Sequence, residues 1–314
     1  MTGGETGIVY SDVYLRHDTG SHPESARRLR AIMEGLREKG LLERLVCIEP
    51  KRASIEDIAT VHDRGYILWV EEAIREGTQL LDFIETVVSR DSFDAALFAA
   101  GGVMAAADAI MAERINNCFC AVRPPGHHAL FDRAMGFCIF NNVAVGARYV
   151  QKKYGIKRVL IADWDVHHGN GTQDTFYSDP TVFYFSTHQF PHYPGSGGPG
   201  EVGEGEGKGY TLNVPMSGGA GDEEYVTAFE ERLVPAMEEF KPEFVLVSAG
   251  FDGHREDPLA GIDLTTEGYG ELTSIVKGIA ERHASGRLIS VLEGGYDLDA
   301  LSDSVAEHIR VLME

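Results

Sequence analysis

Apolar residues fall along the chain in short runs, some with a period of two and some with the period of a helix. Eight runs read as strands: "GIVY" near the start, "RLVCIEP", "CFCAV", "RVLIADWD", "TVFYFSTH", "YTLNVPM", "FVLVSAGF" and "LISVLEGGY". The last five are rich in β-branched and aromatic residues and bounded by Gly, Pro or Asp. Several are apolar on both faces, as in a parallel sheet covered on both sides. Between them, "ESARRLRAIMEGLREKG" carries apolar residues at helical spacing and stops at Gly40. "FDAALFAAGGVMAAADAIMAE" reads as a small-residue-rich buried helix, and "DEEYVTAFEERLVPAMEEF" and "TEGYGELTSIVKGIAERH" as amphipathic ones. Alternating strands and helices predict one doubly wound α/β domain. The Gly-rich "PGSGGPGEVGEGEGKGY", flanked by strands, predicts a long surface loop.

The polar residues are not scattered. "RPPGHHA", "DWDVHHG", "STHQFPHYPG", "AGFDGHREDPL" and "EGGYD" each lie just past the carboxyl end of a predicted strand. In open α/β sheets that edge binds ligands.

Composition narrows the partners. The 314 residues hold 49 acidic against 28 basic side chains, a formal net charge of -21. Direct nucleic-acid binding, which relies on clustered Lys and Arg, is therefore not expected. An acidic surface attracts cationic partners such as lysine-rich peptides or polyamines. No segment approaches the ~20 consecutive apolar residues of a membrane span. The start, "MTGGETGIVYSD", lacks the basic region and apolar block of a secretory signal. Cys47, Cys118, Cys120 and Cys138 form no CxxC pair and fall in or beside apolar stretches, so buried free thiols in a reducing cytoplasm are expected. Self-association is left open.

On an extended segment Asp163, Asp165 and His167 share a face. A carboxylate and an imidazole two residues apart can reach one metal ion, and Asp252 from another strand end can supply a third ligand. Two carboxylates and one neutral imidazole neutralise a divalent cation and leave positions open, the mark of a catalytic zinc site. The tandem His127 and His128 suits acid–base work on an amide, with Asp163 and Asn170 as orienting partners. Tyr296, after two glycines, is placed to donate a hydrogen bond to a developing oxyanion.

Together these motifs resemble the zinc-dependent histone deacetylase family, which includes the acetylpolyamine amidohydrolases. The resemblance runs from "HDTGSHPESARRL" through "RPPGHHA", "MGFCIFNNVAVGA", "DWDVHHGNGTQ", "FYFSTHQFPHYPGSG" and "SAGFDGHREDPLAG" to "LEGGYD". "HHGNG" and the early "HPE" look more like the class II branch and its prokaryotic relatives. The resemblance implies a single-domain arginase/deacetylase α/β fold over residues 1–314, with an eight-stranded, mainly parallel sheet flanked by helices. It implies Asp165, His167 and Asp252 as ligands of one Zn2+, and His128 with Asn170 as the general base and acid. His127 supported by Asp163, and Tyr296 as the carbonyl-polarising group, complete the catalytic set. Gly136, Phe137 and Tyr193 match the channel for an acyl-lysine side chain, Tyr193 standing where phenylalanine is common. Leu259 matches the channel rim, and Arg28 the arginine of an early motif. Asp163, Asp165, His167, Ser186 and Thr187 match a structural K+ site. Phe176, Asp179, Val182 and Tyr210 match a second monovalent site, mostly through backbone carbonyls.

The activity implied is removal of acetyl groups from acetyl-lysine side chains of peptides or proteins. Acetylpolyamines are the competing substrate, and an acyl-lysine binder without turnover the reading of another class. An arginase-like dimanganese site would need a bridging carboxylate where "GFDGH" has His254.

Overall fold

The computed structural model describes residues 5–82 and 85–314. The first four residues of the amino-terminal stretch read above for a signal lie outside the described residues. The strands are β1 (Thr6–Val9), β2 (Val46–Ile48), β3 (Asn117–Cys120), β4 (Val159–Asp163), β5 (Val182–Gln189), β6 (Thr211–Met216), β7 (Phe244–Ala249) and β8 (Leu288–Leu292). They form one sheet in the order β2-β1-β3-β8-β7-β4-β5-β6. Every pairing is parallel, a stricter arrangement than the mainly parallel sheet expected. Strands β4, β7 and β8 are buried along their whole length, which explains their mostly apolar runs.

Among the described residues, ten helices connect the strands: α1 (Ala26–Glu38), α2 (Ile55–Ile58), α3 (Arg64–Arg75), α4 (Ser92–Met111), α5 (Asn142–Tyr154), α6 (Asn170–Phe176), α7 (Asp222–Ala228), α8 (Val234–Phe240), α9 (Thr266–His283) and α10 (Leu298–Leu312). Two groups cover the sheet. Helices α4 and α5 pack together against β1, β3, β7 and β8, while α1, α10 and α9 pack in a row. Helix α4 is long and apolar enough to cross a membrane by composition, yet its most apolar window is 78% buried, which makes it a core helix. The single helix expected over 222–240 is interrupted between α7 and α8 by a five-residue π turn, Phe229–Leu233.

Two expectations need correction. Cys47 is exposed, because β2 is an edge strand with one open side; the other three cysteines are buried. The Gly-rich loop is not all surface. A Cβ on Gly197 would lie 2.4 Å from the His188 ring, so that part of the loop packs directly on buried histidines.

Candidate active site

The five strands that carry the polar loops, β3, β8, β7, β4 and β5, are contiguous in the sheet. Their carboxyl ends therefore deliver residues from five distant parts of the chain to one edge. There they line a cavity of about 230 Å³ bounded by Glu85, Pro125, His127, His128, Gly136, Phe137, Asp165, His167, Tyr193, Leu259, Gly294 and Tyr296.

At its floor, donor atoms of Asp165, His167 and Asp252 lie within 4.8 Å of one another. His167 Nδ1 is 3.3 Å from Asp165 Oδ1 and 3.2 Å from Asp252 Oδ2. Backbone amides hold both carboxylates: Val166 N donates to Asp252 (3.0 Å) and Gly294 N to Asp165 (2.8 Å). Burial opposes charge on His167, but Asp165 and Asp252 hold its pKa up at about 10. So much negative charge around one imidazole is what a divalent cation neutralises, and the donor set suits zinc. The glycines nearby are small by necessity. A Cβ on Gly294 would sit 2.0 Å from Asp252 Oδ2, and one on Gly250 2.2 Å from Asp165 Oδ2.

Asp163 does not join these three. Strand β4 ends at Asp163 and the chain then turns, so alternation along an extended segment does not govern the following residues. Its carboxylate instead meets His127 Nδ1 and the Tyr184 hydroxyl, each at 3.1 Å. Burial disfavours charge on His127, yet Asp165 and Asp163 hold its pKa well above the ordinary value. The adjacent His128 is pushed well below it by burial and by His127. Its Nδ1 lies 2.7 Å from Asn170 Oδ1. A carbonyl oxygen only accepts, so Nδ1 carries the proton and Nε2 keeps a lone pair.

Gly136 and Phe137 form one wall, both with positive φ (55° and 68°). A Cβ on Gly136 would lie 2.3 Å from the His128 ring. A left-handed conformation at phenylalanine costs about 1–3 kcal/mol and recurs at ligand clamps. Tyr193 stands edge-on to His128 across a 5.2 Å centroid distance. Phe137 meets Tyr296 edge-on at 6.0 Å. Burial drives the Tyr296 phenol well above its ordinary pKa and keeps it a proton donor. Leu259 is half-buried at the cavity's edge.

Ser186 and Thr187 are buried on β5, where Ser186 is the register partner of Asp163. The Thr187 hydroxyl has no hydrogen-bond partner among the described residues. Phe176, Asp179, Val182 and Tyr210 are not at this edge; Val182 opens β5 at the opposite end. There the carbonyls of Phe176 and Tyr210 accept from Asp179 N (3.0 Å) and Tyr184 N (2.8 Å), leaving one lone pair each.

Sequence reasoning missed several contributors. Glu85, on an aperiodic loop, puts a carboxylate on the cavity wall. Glu293 is buried, and its Oε2 accepts from Gly126 N (2.7 Å) and His127 N (3.2 Å), fixing the turn that carries the paired histidines. Glu24 accepts from Arg123 and Arg28, all three buried. Arg28 in turn places its guanidinium 5.0 Å from the centre of the Tyr296 ring. The sequence signals were the glutamate of "HPE", the arginines of two quoted motifs and a glutamate before two glycines.

The fold and site define a parallel α/β protein with a two-carboxylate, one-imidazole cation donor set beside paired histidines. The sequence profile of the histone deacetylase domain matches residues 22–312. A probable deacetylase of Archaeoglobus fulgidus is 44% identical over 297 residues, 94% of this chain and 82% of that protein. Histone deacetylase 14, chloroplastic, of Arabidopsis thaliana is 43% identical over 323 residues, 98% of this chain and 76% of that protein. The fold superposes on the crystal structure of the HDA15 HD domain with a TM-score of 0.93 at 38% identity, covering 99% of this chain and 89% of that one. The chain belongs to the histone deacetylase family, and so to the deacetylase enzymes.

Proposed function

We propose that this cavity hydrolyses the amide of N-acetyl-lysine side chains in a zinc-dependent reaction. The observation that carries this reading is the His128–Asn170 contact beside the Asp165–His167–Asp252 donor set, with Tyr296 on the same cavity wall. A Zn2+ held by Asp165, His167 and Asp252 would supply Lewis-acid stabilisation of the acetyl oxygen and make water more acidic.

The side chains of the chain do the rest. Gly136, Phe137 and Tyr193 hold the aliphatic arm and exclude water around the amide. His128 Nε2 accepts a proton from the attacking water as its oxygen bonds to the acetyl carbon. The Tyr296 hydroxyl donates to the acetyl oxygen as negative charge develops there. The imidazolium of His128 then returns the proton to the amine nitrogen as the C–N bond breaks, releasing acetate and a free amine. His127, kept cationic by Asp163 and Asp165, stabilises the negative charge that builds up alongside. A K+ among Asp163, Asp165, His167, Ser186 and Thr187 would give the unpartnered Thr187 hydroxyl a neighbour and brace the turn. A second monovalent ion near Phe176, Asp179, Val182 and Tyr210 would use their free lone pairs.

Glu85 favours a second reading. A carboxylate on the cavity wall, on a chain of net charge -21, suits acetylpolyamines as well as basic peptides. Leu259 offers nothing to an ammonium group, which keeps acetyl-lysine the leading substrate. The free thiols, one of them exposed, suit a reducing compartment such as the cytoplasm. Acetate release from acetyl-lysine peptides before chelation, after it, and after zinc is restored tests the proposal. Turnover that survives removal of all metal would reject zinc dependence, and binding without turnover would leave only an acyl-lysine reader.

A further inference from the structure

The segment that carries Tyr296 has no regular secondary structure, so its backbone groups need partners elsewhere. Nearly all find one. Glu293 N donates to Ala249 O (3.1 Å), and Gly294 O accepts from Phe251 N (3.0 Å). The carbonyls of Glu293 and Gly295 accept from Arg28, at 2.5 and 2.6 Å. The amides of Tyr296 and Asp297 both donate to one atom, Asp257 Oδ2, at 2.6 and 3.3 Å. The other oxygen, Asp257 Oδ1, accepts from Leu259 N at 3.0 Å.

A guanidinium thus grips the carbonyls of this segment and a carboxyl group its amides. Asp257 is only 6% exposed and does not line the cavity, whereas Tyr296 and Leu259 both do. From this geometry we infer that Asp257 is a positioning residue that fixes Tyr296 for the reaction and couples it to the rim at Leu259. The inference rests on the catalytic reading of Tyr296 given above. Three backbone amides, two of them in the Tyr296 segment, donate to this one buried carboxyl group, which ties together two loops from different strand ends. The ring of Tyr296 is steered by Phe137 and Arg28, and the peptide unit before it is held by Asp257 at its amide and Arg28 at its carbonyl. Because a displacement of about 1 Å can cost about a hundredfold in rate, losing that tether affects turnover more than binding. A substrate that pushes on Leu259 would also be felt at the Tyr296 hydroxyl.

The test is a double-mutant cycle in the zinc-loaded full chain, reading kcat, KM and metal content. Asp257→Asn preserves size but replaces one acceptor with a donor. It should keep zinc and hold KM within about twofold while kcat falls at least about tenfold. In a Tyr296→Phe background the same substitution should cost less than about twofold, since the hydroxyl it positions is already gone. Equal losses in the two backgrounds, or wild-type kcat in Asp257→Asn, would overturn the proposal. If Asp257→Asn loses zinc or fails to fold, Asp257→Glu, which keeps the carboxylate, enters the same cycle and should recover part of kcat. Misfolding of both would make Asp257 a folding determinant and also overturn the proposal. Wild-type kcat in Tyr296→Phe alone would remove the catalytic reading itself, a result distinct from an additive pair.

Discussion

His128 Nδ1 and Asn170 Oδ1 lie 2.7 Å apart, and this contact decides which nitrogen of His128 faces the cavity. The neutral amide orients the ring and favours its charged form less than a carboxylate would, while burial and His127 keep His128 unprotonated and ready to accept a proton. Asn170→Asp replaces the amide with a carboxylate that favours the imidazolium. The acidic limb of the kcat/KM profile should move up by about one pH unit or more. An unmoved limb would show that His128 is not the group titrating there.

The glycines around the donor set make a second prediction. Gly294→Ala would bring a methyl group to 2.0 Å from Asp252 Oδ2 and 2.7 Å from Asp165 Oδ2, so both carboxylates must move. Disturbing groups that orient metal ligands typically costs about 10–100-fold in affinity. Competition against a calibrated chelator should show that loss with the fold retained. Unchanged zinc affinity would mean these carboxylates do not hold the ion.

Much of this architecture was legible in the sequence, and the reason is local. Strands β4, β7 and β8 are buried on both faces, so each is a mostly apolar run, broken only by Ser248 and Ser290 before the polar residues that follow it. Asp165, His167, Asp252, His127, His128 and Tyr296 are visible for that reason. Helices α3, α5 and α10 were not singled out. In α5 the helical period is masked by "NNVAVGA", whose first residues are buried all round. Glu85, Asp257 and Glu293 were missed because their partners lie 39 or more residues away or across the cavity. Asp163 was legible as the partner of His127, but its expected shared face with Asp165 and His167 was not borne out, because the chain turns where an extended segment was assumed.

A third prediction concerns stability against acid. His308 is fully buried between Thr273 Oγ1 (2.7 Å) and Ser290 Oγ (2.9 Å), and burial lowers its pKa to about 3. The unfolded chain protonates this imidazole near pH 6.5 while the folded chain does not. Its contribution is therefore complete above about pH 6.5 and declines as pH falls towards about 3, by roughly 1.4 kcal/mol per pH unit. Denaturant unfolding from pH 7 to pH 4.5 should show a slope that is one proton shallower in His308→Gln. Identical slopes would mean His308 is protonated in the fold.

Substrate choice turns on Leu259 and Glu85. The wild type should have a higher kcat/KM for an acetyl-lysine peptide than for N-acetylputrescine, and Leu259→Glu should shift the ratio towards the polyamine. Glu85→Gln should slow reaction with both at low salt and weaken the salt dependence. A wild-type preference for the polyamine would overturn the assignment of acetyl-lysine.

The central claim is that this cavity carries out amide hydrolysis with Tyr296 stabilising charge that exists only in the transition state. Its most direct test is the steady-state kinetics of zinc-loaded Tyr296→Phe on an acetyl-lysine peptide. The account predicts full zinc content, a KM close to wild type, and a kcat lower by roughly 10²–10³. A variant with wild-type kcat and a raised KM would make Tyr296 a binding residue and contradict the mechanism.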